Sequence, residues 1–270
     1  MQIYSFLISY IVSGTCLCIL IHSIMHGFNL SQSILAFFLV INILICIWEI
    51  CLSIYIDTIK AENDKLSEKY GKNPVEAVTK LLFQDLSVIE IFTLKTWTKI
   101  WATYALYDPS YANRESFGFF VDFGNGWVTL IPSMIFLYGM TFYGISARTM
   151  GMLGLVKFYQ ECYGTVMYVI TYIYNRRYAN RSMVECILVV GISNSLWFFF
   201  PIFGMILCCD MIRLDSYSSF RNWRRTIQIE LNLNDFTCPN MKSIKRCSPK
   251  VDDLYFKAVP ASWQFNNVDM

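Results

Sequence analysis

The chain has 270 residues, of which 55% are apolar, 17% are aromatic and only 16% are charged. Soluble proteins carry roughly a quarter charged residues, so the composition excludes an ordinary soluble globular protein and predicts an all-α polytopic membrane protein. The formal net charge is only +2, and no basic stretch is interleaved with stacking aromatic residues. We therefore expect no nucleic-acid partner.

Five apolar runs are long enough to cross the ~30 Å hydrocarbon layer as helices. The first follows a two-residue start without a basic residue and is too long for a signal-peptide core, so we expect it to remain as a span. The predicted spans are residues 3–25, 33–56, 117–142, 150–174 and 183–211. The expected organisation is a first helix and short loop at 1–32, a membrane domain at 33–212 and a polar tail at 213–270.

The segment between the second and third spans, at about 57–105, is an insertion of a different character. Residues 57–74 are polar, and over 75–105 apolar side chains recur at helical spacing among charged ones. This pattern predicts an interfacial helix rather than a sixth span. The apolar positions are Val78, Leu81, Leu82, Leu86, Ile89 and Phe92.

The charge distribution does not decide the membrane orientation, since lysines and arginines flank the predicted spans on both sides. Eight of the ten cysteines lie inside apolar runs, where cysteine behaves as a small hydrophobe. Cys238 and Cys247 lie in polar sequence at a spacing that matches no metal site. His22 and His26 lie at i, i+4, but no further histidine is present, so a structural role is favoured. We predict neither a metal nor a cofactor.

Polar side chains at membrane depth are the first candidates for function, because lipid makes an unpaired ionisable group costly. Glu49 is flanked by apolar runs and must face a polar cavity or a partner. Asp122 lies near the start of the third span, where it could also be solvated. Asn194 lies in the middle of the fifth span, one turn from Trp197, where it could equally be interhelical glue.

The fourth span contributes three further polar residues, Lys157, Gln160 and Glu161. Lys157 and Glu161 are spaced i, i+4, so a local ion pair with the lysine reaching toward the headgroups competes with a catalytic role. Gln160 could be a hydrogen-bonding residue between helices.

Four segments together resemble a known family. Around Glu49, the later Tyr55 and Asp57 match the surroundings of a membrane glutamate. The other three segments read WATYALYDPSY at 101–111, QECYGTVMYVIT at 160–171 and NSLWFFFP at 194–201. In order and spacing they are similar to the EXPERA superfamily and, within it, to the emopamil-binding protein branch of sterol Δ8-Δ7 isomerases. The resemblance covers about 41–211 without the insertion at 61–96.

The resemblance implies a four-helix bundle made of spans two to five and a ring double-bond shift inside the membrane. It implies carboxylate acid/base chemistry by Glu49, a cation-stabilising wall at Trp197 and a polar partner at Asn194. Substrate contacts are implied at the matching family positions Gln160, Tyr163, Tyr168, Thr171, Tyr104 and Tyr111.

Two departures from the family pattern bear on catalysis. The family has a histidine one turn before the membrane glutamate, where this chain has Ile45. The third span of the isomerases has a glutamate upstream of a proline, whereas here Asp122 precedes Pro132 with a spacing one residue longer. Asp122 is the natural substitute. Gly124 and Gly126 nearby predict either a small-residue packing notch or a local helix break that lines a cavity.

Two functions therefore stay open. One is an integral membrane sterol or lipid isomerase with an altered acid/base set. The other is a non-catalytic EXPERA protein that binds a lipid or serves as a subunit of a membrane complex. Expected partners are a membrane lipid or sterol and a second copy or other subunit. The endoplasmic reticulum is the expected membrane, with another organelle such as the mitochondrion left open.

Two placements follow from this interpretation. The bundle interior should hold Glu49, Asn194 and Trp197, with the first span at the periphery. Asp108 precedes Pro109, so we expect it to form a turn or helix N-cap in the loop before the third span, with Tyr104 and Tyr111 near the cavity mouth.

Overall fold

The computed structural model describes residues 1–114, 116–179 and 182–221. This part of the chain is built almost entirely from helices. The α-helices are α1 (Ile3–His26), α2 (Leu30–Ile54), α3 (Ile56–Tyr70), α4 (Pro74–Leu82), α5 (Val88–Phe92), α6 (Thr98–Tyr104), α7 (Phe117–Phe142), α8 (Ala147–Tyr174), α9 (Met183–Cys186) and α10 (Ile192–Leu214). Short 3-10 helices lie at Leu94–Trp97, Pro109–Ala112 and Ser218–Phe220, and a π-helical segment, Ile187–Gly191, joins α9 to α10.

Four of the described helices are long and apolar enough to cross a membrane: α1, α2, α7 and the continuous stretch Met183–Leu214. The chain is thus an all-α integral membrane protein. The fourth predicted span, now α8, is not among these four. It has 28 residues and therefore a length of about 42 Å, which is long enough, but it is less apolar than the other long helices. Its composition differs because it carries Arg148, Lys157, Glu161 and several tyrosines.

The membrane bundle consists of α2, α7, α8 and α10. Helix α2 packs along α7, α8 packs along α10, and α7 and α8 also share a contact face. Small residues permit the closest approaches. A Cβ atom on Gly126 of α7 would lie 2.8 Å from the Ile50 nitrogen of α2, and one on Gly151 of α8 would lie 2.8 Å from the Cys208 oxygen of α10.

Helix α1 lies at the edge of this bundle, as we expected of the first span. It contacts α2 and α7, and only Ile3 and His22 of its 24 residues are buried. Most of its apolar surface is therefore left for lipid.

The inserted segment is not the single interfacial helix predicted over 75–105. It forms α4, α5 and α6 with breaks between them. One break is an extended stretch that pairs with the chain start, where the Ile3 nitrogen donates to the Gln84 oxygen and the Leu86 nitrogen to the Met1 oxygen. Ser87 then begins α5 with a capping box that includes Glu90. These pairings compete with helical hydrogen bonds and end the helix.

The inserted segment covers one end of the bundle. The indole nitrogen of Trp101 donates to the Trp48 oxygen of α2 at 2.6 Å, and Asn63 of α3 donates to the Ala102 oxygen at 2.8 Å. Several apolar side chains of the segment stay exposed on its outer side. They are Phe83, Val88, Ile89 and Phe92.

The opposite end is held by an aromatic stack centred on Tyr143, which ends α7 with a φ of 55°. The Tyr143 ring stacks on His26 at 3.8 Å and on Tyr217 at 4.3 Å. Its hydroxyl donates to the Phe220 oxygen at 2.9 Å and lies 3.1 Å from His22 Nε2. Both histidines therefore take part in packing, in agreement with the structural role that their sequence context favoured.

Candidate functional site

A partly enclosed cavity of about 220 Å³ lies inside the bundle, in the half that the inserted segment covers. It is bounded by α2, α6, α7, α8 and α10. Its lining residues are Ile45, Trp48, Glu49, Ile100, Trp101, Tyr104, Tyr111, Val121, Asp122, Asn125, Thr165, Tyr168, Ser193, Asn194 and Trp197. Polar groups from five helices thus converge in an otherwise apolar and aromatic chamber.

Glu49 is the central polar group of this cavity. The residue is only 3% exposed. Its Oε1 accepts a long hydrogen bond of 3.5 Å from Asn125 Nδ2, while Oε2 has no hydrogen-bond partner among the residues that the structure describes. Since buried carboxylate oxygens are normally paired, an unsatisfied oxygen facing a cavity is a candidate contact for a ligand.

Asp122 lines the same cavity on α7. The Tyr111 hydroxyl lies within hydrogen-bonding reach of its carboxyl group. Glu49 of α2 lines this cavity as well. Two carboxyl groups from neighbouring helices, α2 and α7, therefore line one cavity.

Asn194 and Trp197 extend the cavity wall onto α10. Asn194 Nδ2 donates to the Val190 oxygen at 2.7 Å and lies 3.4 Å from the Tyr104 hydroxyl. Burial raises the pKa of Tyr104 to about 12, so its hydroxyl stays a hydrogen-bond donor at neutral pH. This side of the cavity offers amide and phenol groups beside the indole face.

Asn125 is a cavity residue that the sequence interpretation missed. Besides donating to Glu49, it accepts a 3.5 Å hydrogen bond from Gln160 Nε2 through its Oδ1. The sequence does show an amide side chain between two glycines at membrane depth. The glycines were interpreted for their effect on the backbone, and the amide was given no role. In the structure α7 runs through Gly124 and Gly126 without a break, so the local helix break is wrong. The packing notch is confirmed at Gly126, which lies against α2, but not at Gly124, whose Cβ would meet nothing within 4 Å.

The proposed substrate contacts divide into two groups. Tyr104, Tyr111 and Tyr168 line the cavity. Gln160 is not a lining residue, but its Nε2 donates a 3.5 Å hydrogen bond to the lining residue Asn125.

Two other proposed contacts on α8 lie away from the cavity lining. Tyr163 is 54% exposed on the outer surface and stacks on Tyr159, so it does not line this cavity. Thr171 is also not a lining residue of this cavity. Its hydroxyl donates to the Tyr168 oxygen of its own helix at 2.8 Å.

Asp108 is a structural group beside the cavity. It is fully buried and caps the short helix Pro109–Ala112 by accepting from the Ser110 nitrogen at 3.0 Å. Its Oδ2 accepts from the Tyr168 hydroxyl at 2.7 Å and from Arg177 at 3.2 Å. The expected N-cap role is therefore confirmed, and the same carboxylate also ties the end of α8 to this turn.

Lys157 and Glu161 form the ion pair that their spacing indicated, but the lysine does not reach toward the headgroups. Its side chain is 1% exposed, and Nζ lies 2.7 Å from both Glu161 oxygens. Glu161 Oε1 also accepts from Asn42 Nδ2 at 2.8 Å. Asn42 was missed in the sequence because a single amide in an apolar run gives no sign of its partners.

A buried network thus joins the ion pair to the cavity wall. Asn42 Nδ2 also approaches Ser133 Oγ at 3.0 Å, and Asn42 Oδ1 accepts from the Trp197 indole nitrogen at 2.7 Å. All four helices of the bundle contribute to this network. Among the described residues, no group of three His, Cys, Asp or Glu side chains could hold a metal ion.

Comparisons of the chain with protein-family models, with curated proteins and with solved structures found no match. The functional argument therefore depends on the cavity and its residues.

Proposed function

We propose that this integral membrane protein is an EXPERA-type isomerase that shifts a ring double bond of a sterol or related lipid. The supporting observation is that Glu49, Asp122, Asn194 and Trp197 all line one cavity. They lie on three helices that are distant in sequence, α2, α7 and α10, and each is a candidate from the sequence alone. A lipid-facing position for any of them would have argued against the proposal.

The proposed reaction needs two proton transfers and no net change in oxidation state. A carboxylic acid donates a proton to one alkene carbon, which leaves a carbocation at the adjacent carbon. A carboxylate then removes a proton from the next ring carbon, and the double bond forms at its new position. Glu49 and Asp122 would share these two roles.

The cation between the two transfers needs a stabilising wall. The Trp197 face can supply ~2 kcal/mol or more of cation-π attraction in a desolvated site. Asn194, one turn away, would orient the ligand or the carboxyl groups by hydrogen bonding. The enclosing aromatic residues exclude water, which would otherwise quench the cation.

The second candidate is a lipid-binding protein or complex subunit without catalysis, and two observations favour it. Ile45 lines the cavity at the position where the family has a histidine, so one proton-carrying group is replaced by an apolar one. The cavity volume of about 220 Å³ is below the roughly 300–1,000 Å³ typical of small-molecule pockets. The isomerase and the lipid-binding protein would both require an apolar ligand from the membrane.

The experiment is conversion of a Δ8 sterol by the full chain in a strain lacking its own isomerase, beside binding of a sterol-like amine to purified protein. Glu49→Gln should abolish conversion and retain most amine binding, because glutamine keeps the shape but has no acidic proton to give. Trp197→Ala should weaken both, since it removes cation stabilisation and packing surface together.

Matched controls are available on the same fold. Glu68→Gln changes an exposed glutamate of α3, and Trp127→Ala removes a tryptophan that is 53% exposed on α7. Both should leave conversion and binding close to those of the unmutated chain. Amine binding without any sterol conversion by the unmutated chain would reject the isomerase and support the lipid-binding candidate.

A further inference from the structure

The buried network around Asn42 has no part in the proton transfers proposed above, although it contains the most deeply buried charges of the bundle. Lys157 and Glu161 have side chains that are 1% and 0% exposed. Burying an ion pair usually gives little net stability, because desolvation offsets the attraction. Such pairs are best explained where they fix a particular arrangement of groups.

The chemistry of the neighbours dictates which way the Asn42 amide faces. The Trp197 indole nitrogen can only donate a hydrogen bond, so it requires the Asn42 oxygen. The Glu161 carboxylate can only accept, so it requires the Asn42 nitrogen. The observed bonds of 2.7 Å and 2.8 Å satisfy both requirements at once.

The ion pair keeps this arrangement from relaxing. Both Glu161 oxygens are held by Lys157 Nζ at 2.7 Å. Lys157 Nζ in turn lies 4.4 Å from the centre of the Phe158 ring, which leaves the lysine little room to move. A fixed carboxylate therefore fixes the amide, and the fixed amide fixes one edge of the indole.

The other contacts to Trp197 constrain the orientation of its ring less than the hydrogen bond to Asn42 does. The side chain is only partly buried, and Phe38 packs at 6.0 Å in an edge-to-face arrangement. The indole hydrogen bond is thus the directional contact that sets how Trp197 faces the cavity.

We propose that Asn42 is a positioning residue that holds the Trp197 face toward the cavity, and that the Lys157–Glu161 pair sets the direction of its amide. The proposal rests on the proposed function in one respect, namely that Trp197 forms the cation-binding wall. The network lies on four helices, so it also makes the wall depend on correct packing of the whole bundle.

The test uses the full chain labelled with 5-fluorotryptophan and observed by fluorine NMR in lipid nanodiscs. The chain has seven tryptophans, and the signal lost in Trp197→Phe identifies Trp197. Asn42→Leu should move and broaden that signal selectively, while the Trp127 signal, identified through Trp127→Phe, stays in place. This readout does not depend on any activity.

A second variant separates the direction of the amide from the presence of charge. In Lys157→Met/Glu161→Gln both charges are removed, and the glutamine amide can donate as well as accept, so it no longer imposes one direction on the Asn42 amide. The Trp197 signal should therefore broaden or split in this variant. A Trp197 signal that stays sharp at its native position would overturn the role of the pair.

Binding of the sterol-like amine links the positioning to the site. Asn42→Leu should weaken binding about tenfold, the effect expected from losing one hydrogen bond to a buried partner. The loss should vanish in the Trp197→Phe background, because the ring there has no N–H to position. Full additivity of the two substitutions would overturn the proposal.

Two results distinguish this proposal from the proposed function. If the unmutated chain binds no amine, the proposed function fails, and the fluorine spectra still decide the positioning. If Asn42→Leu leaves the Trp197 signal unchanged, or moves the signals of all buried tryptophans alike, the positioning proposal fails.

Discussion

Two glutamates in the same bundle, Glu49 on α2 and Glu161 on α8, are both buried, but their carboxylate oxygens differ in hydrogen bonding. Glu161 accepts hydrogen bonds from Lys157 at 2.7 Å and from Asn42 at 2.8 Å. Glu49 has one contact of 3.5 Å to Asn125 and an oxygen without a partner among the described residues. A carboxylate whose oxygens are all held by the protein has a structural role, whereas one that has an unpaired oxygen beside a cavity is available to a ligand.

The largest expected effect comes from breaking the satisfied pair. Lys157→Met should reduce the free energy of unfolding by roughly 3–5 kcal/mol, because it leaves Glu161 as an uncompensated buried charge. Glu49→Gln should cost less than about 1 kcal/mol, because it keeps the shape and removes no ion pair. Thermal or denaturant unfolding in the same detergent measures both.

The double variant Lys157→Met/Glu161→Gln is the control for this comparison. It should recover much of the stability that Lys157→Met loses, since no charge remains buried. Equal losses for Lys157→Met and Glu49→Gln would show that the two carboxylates do not differ in the way their contacts indicate.

A third carboxylate, that of Asp108, lies next to the cavity and accepts several hydrogen bonds. It tests whether full hydrogen bonding predicts a structural role there. Asp108→Asn should lower stability by about 1–3 kcal/mol, because it weakens the bonds from Tyr168 and Arg177. Affinity for the sterol-like amine should fall less than folded yield does. The reverse order would place Asp108 in the ligand site.

The control for Asp108 is an exposed ion pair of the same type. Asp57 pairs with Arg114, and its side chain is 82% exposed. Asp57→Asn should cost only ~0–1 kcal/mol, since solvent already screens the attraction.

Close helix packing behind Glu49 gives a third, smaller effect. Gly126→Ala would place a Cβ atom 2.8 Å from the Glu49 Cβ and should cost about 1–2 kcal/mol by forcing α7 from α2. Gly124→Ala on the same helix meets nothing within 4 Å and should gain ~0.5–1 kcal/mol from helix propensity. Unfolding of the two variants decides the comparison, and a loss for Gly124→Ala would contradict it.

The smallest effect is expected where no carboxylate is involved, on the outer side of α5. Phe92 is 85% exposed and Ile89 is 79% exposed. Phe92→Ser should change stability by less than about 0.5 kcal/mol.

The role expected for this surface is contact with the lipid interface. A fluorescent amino acid at position 92 should therefore be quenched by lipids that carry a quencher near the headgroup. The same probe at Glu68, an exposed residue of α3, serves as the comparison. Equal quenching at both positions would reject a specific contact by α5.

The long helices could be predicted because hydropathy is a local property of the sequence. The third predicted span has the bounds of α7, and the second ends two residues beyond α2. The inserted segment could not be predicted in the same way. Its breaks depend on pairing of Gln84 and Leu86 with residues about 80 positions earlier, which leaves no periodic signal.

In the candidate site, too, local properties could be predicted from the sequence and contacts between distant residues could not. Glu49 could be selected because a charge in an apolar run is visible in the sequence. Asn42 and Asn125 could not be assigned partners, since those depend on which helices face one another. Tyr163 and Tyr168 are five residues apart, which places them roughly 140° from each other around α8, so a motif containing both must divide between two faces.

The Tyr143 stack has a practical consequence for preparing the protein. The segment after α10 is held against the rest of the bundle, because Tyr217 donates to the Ile145 oxygen at 2.8 Å and Asn29 donates to the Arg221 oxygen at 3.2 Å. A shortened form that stops at Leu214 would remove the ring that covers one face of Tyr143 and expose a turn in a left-handed conformation. Truncations for crystallisation or tagging should therefore retain the chain through Arg221.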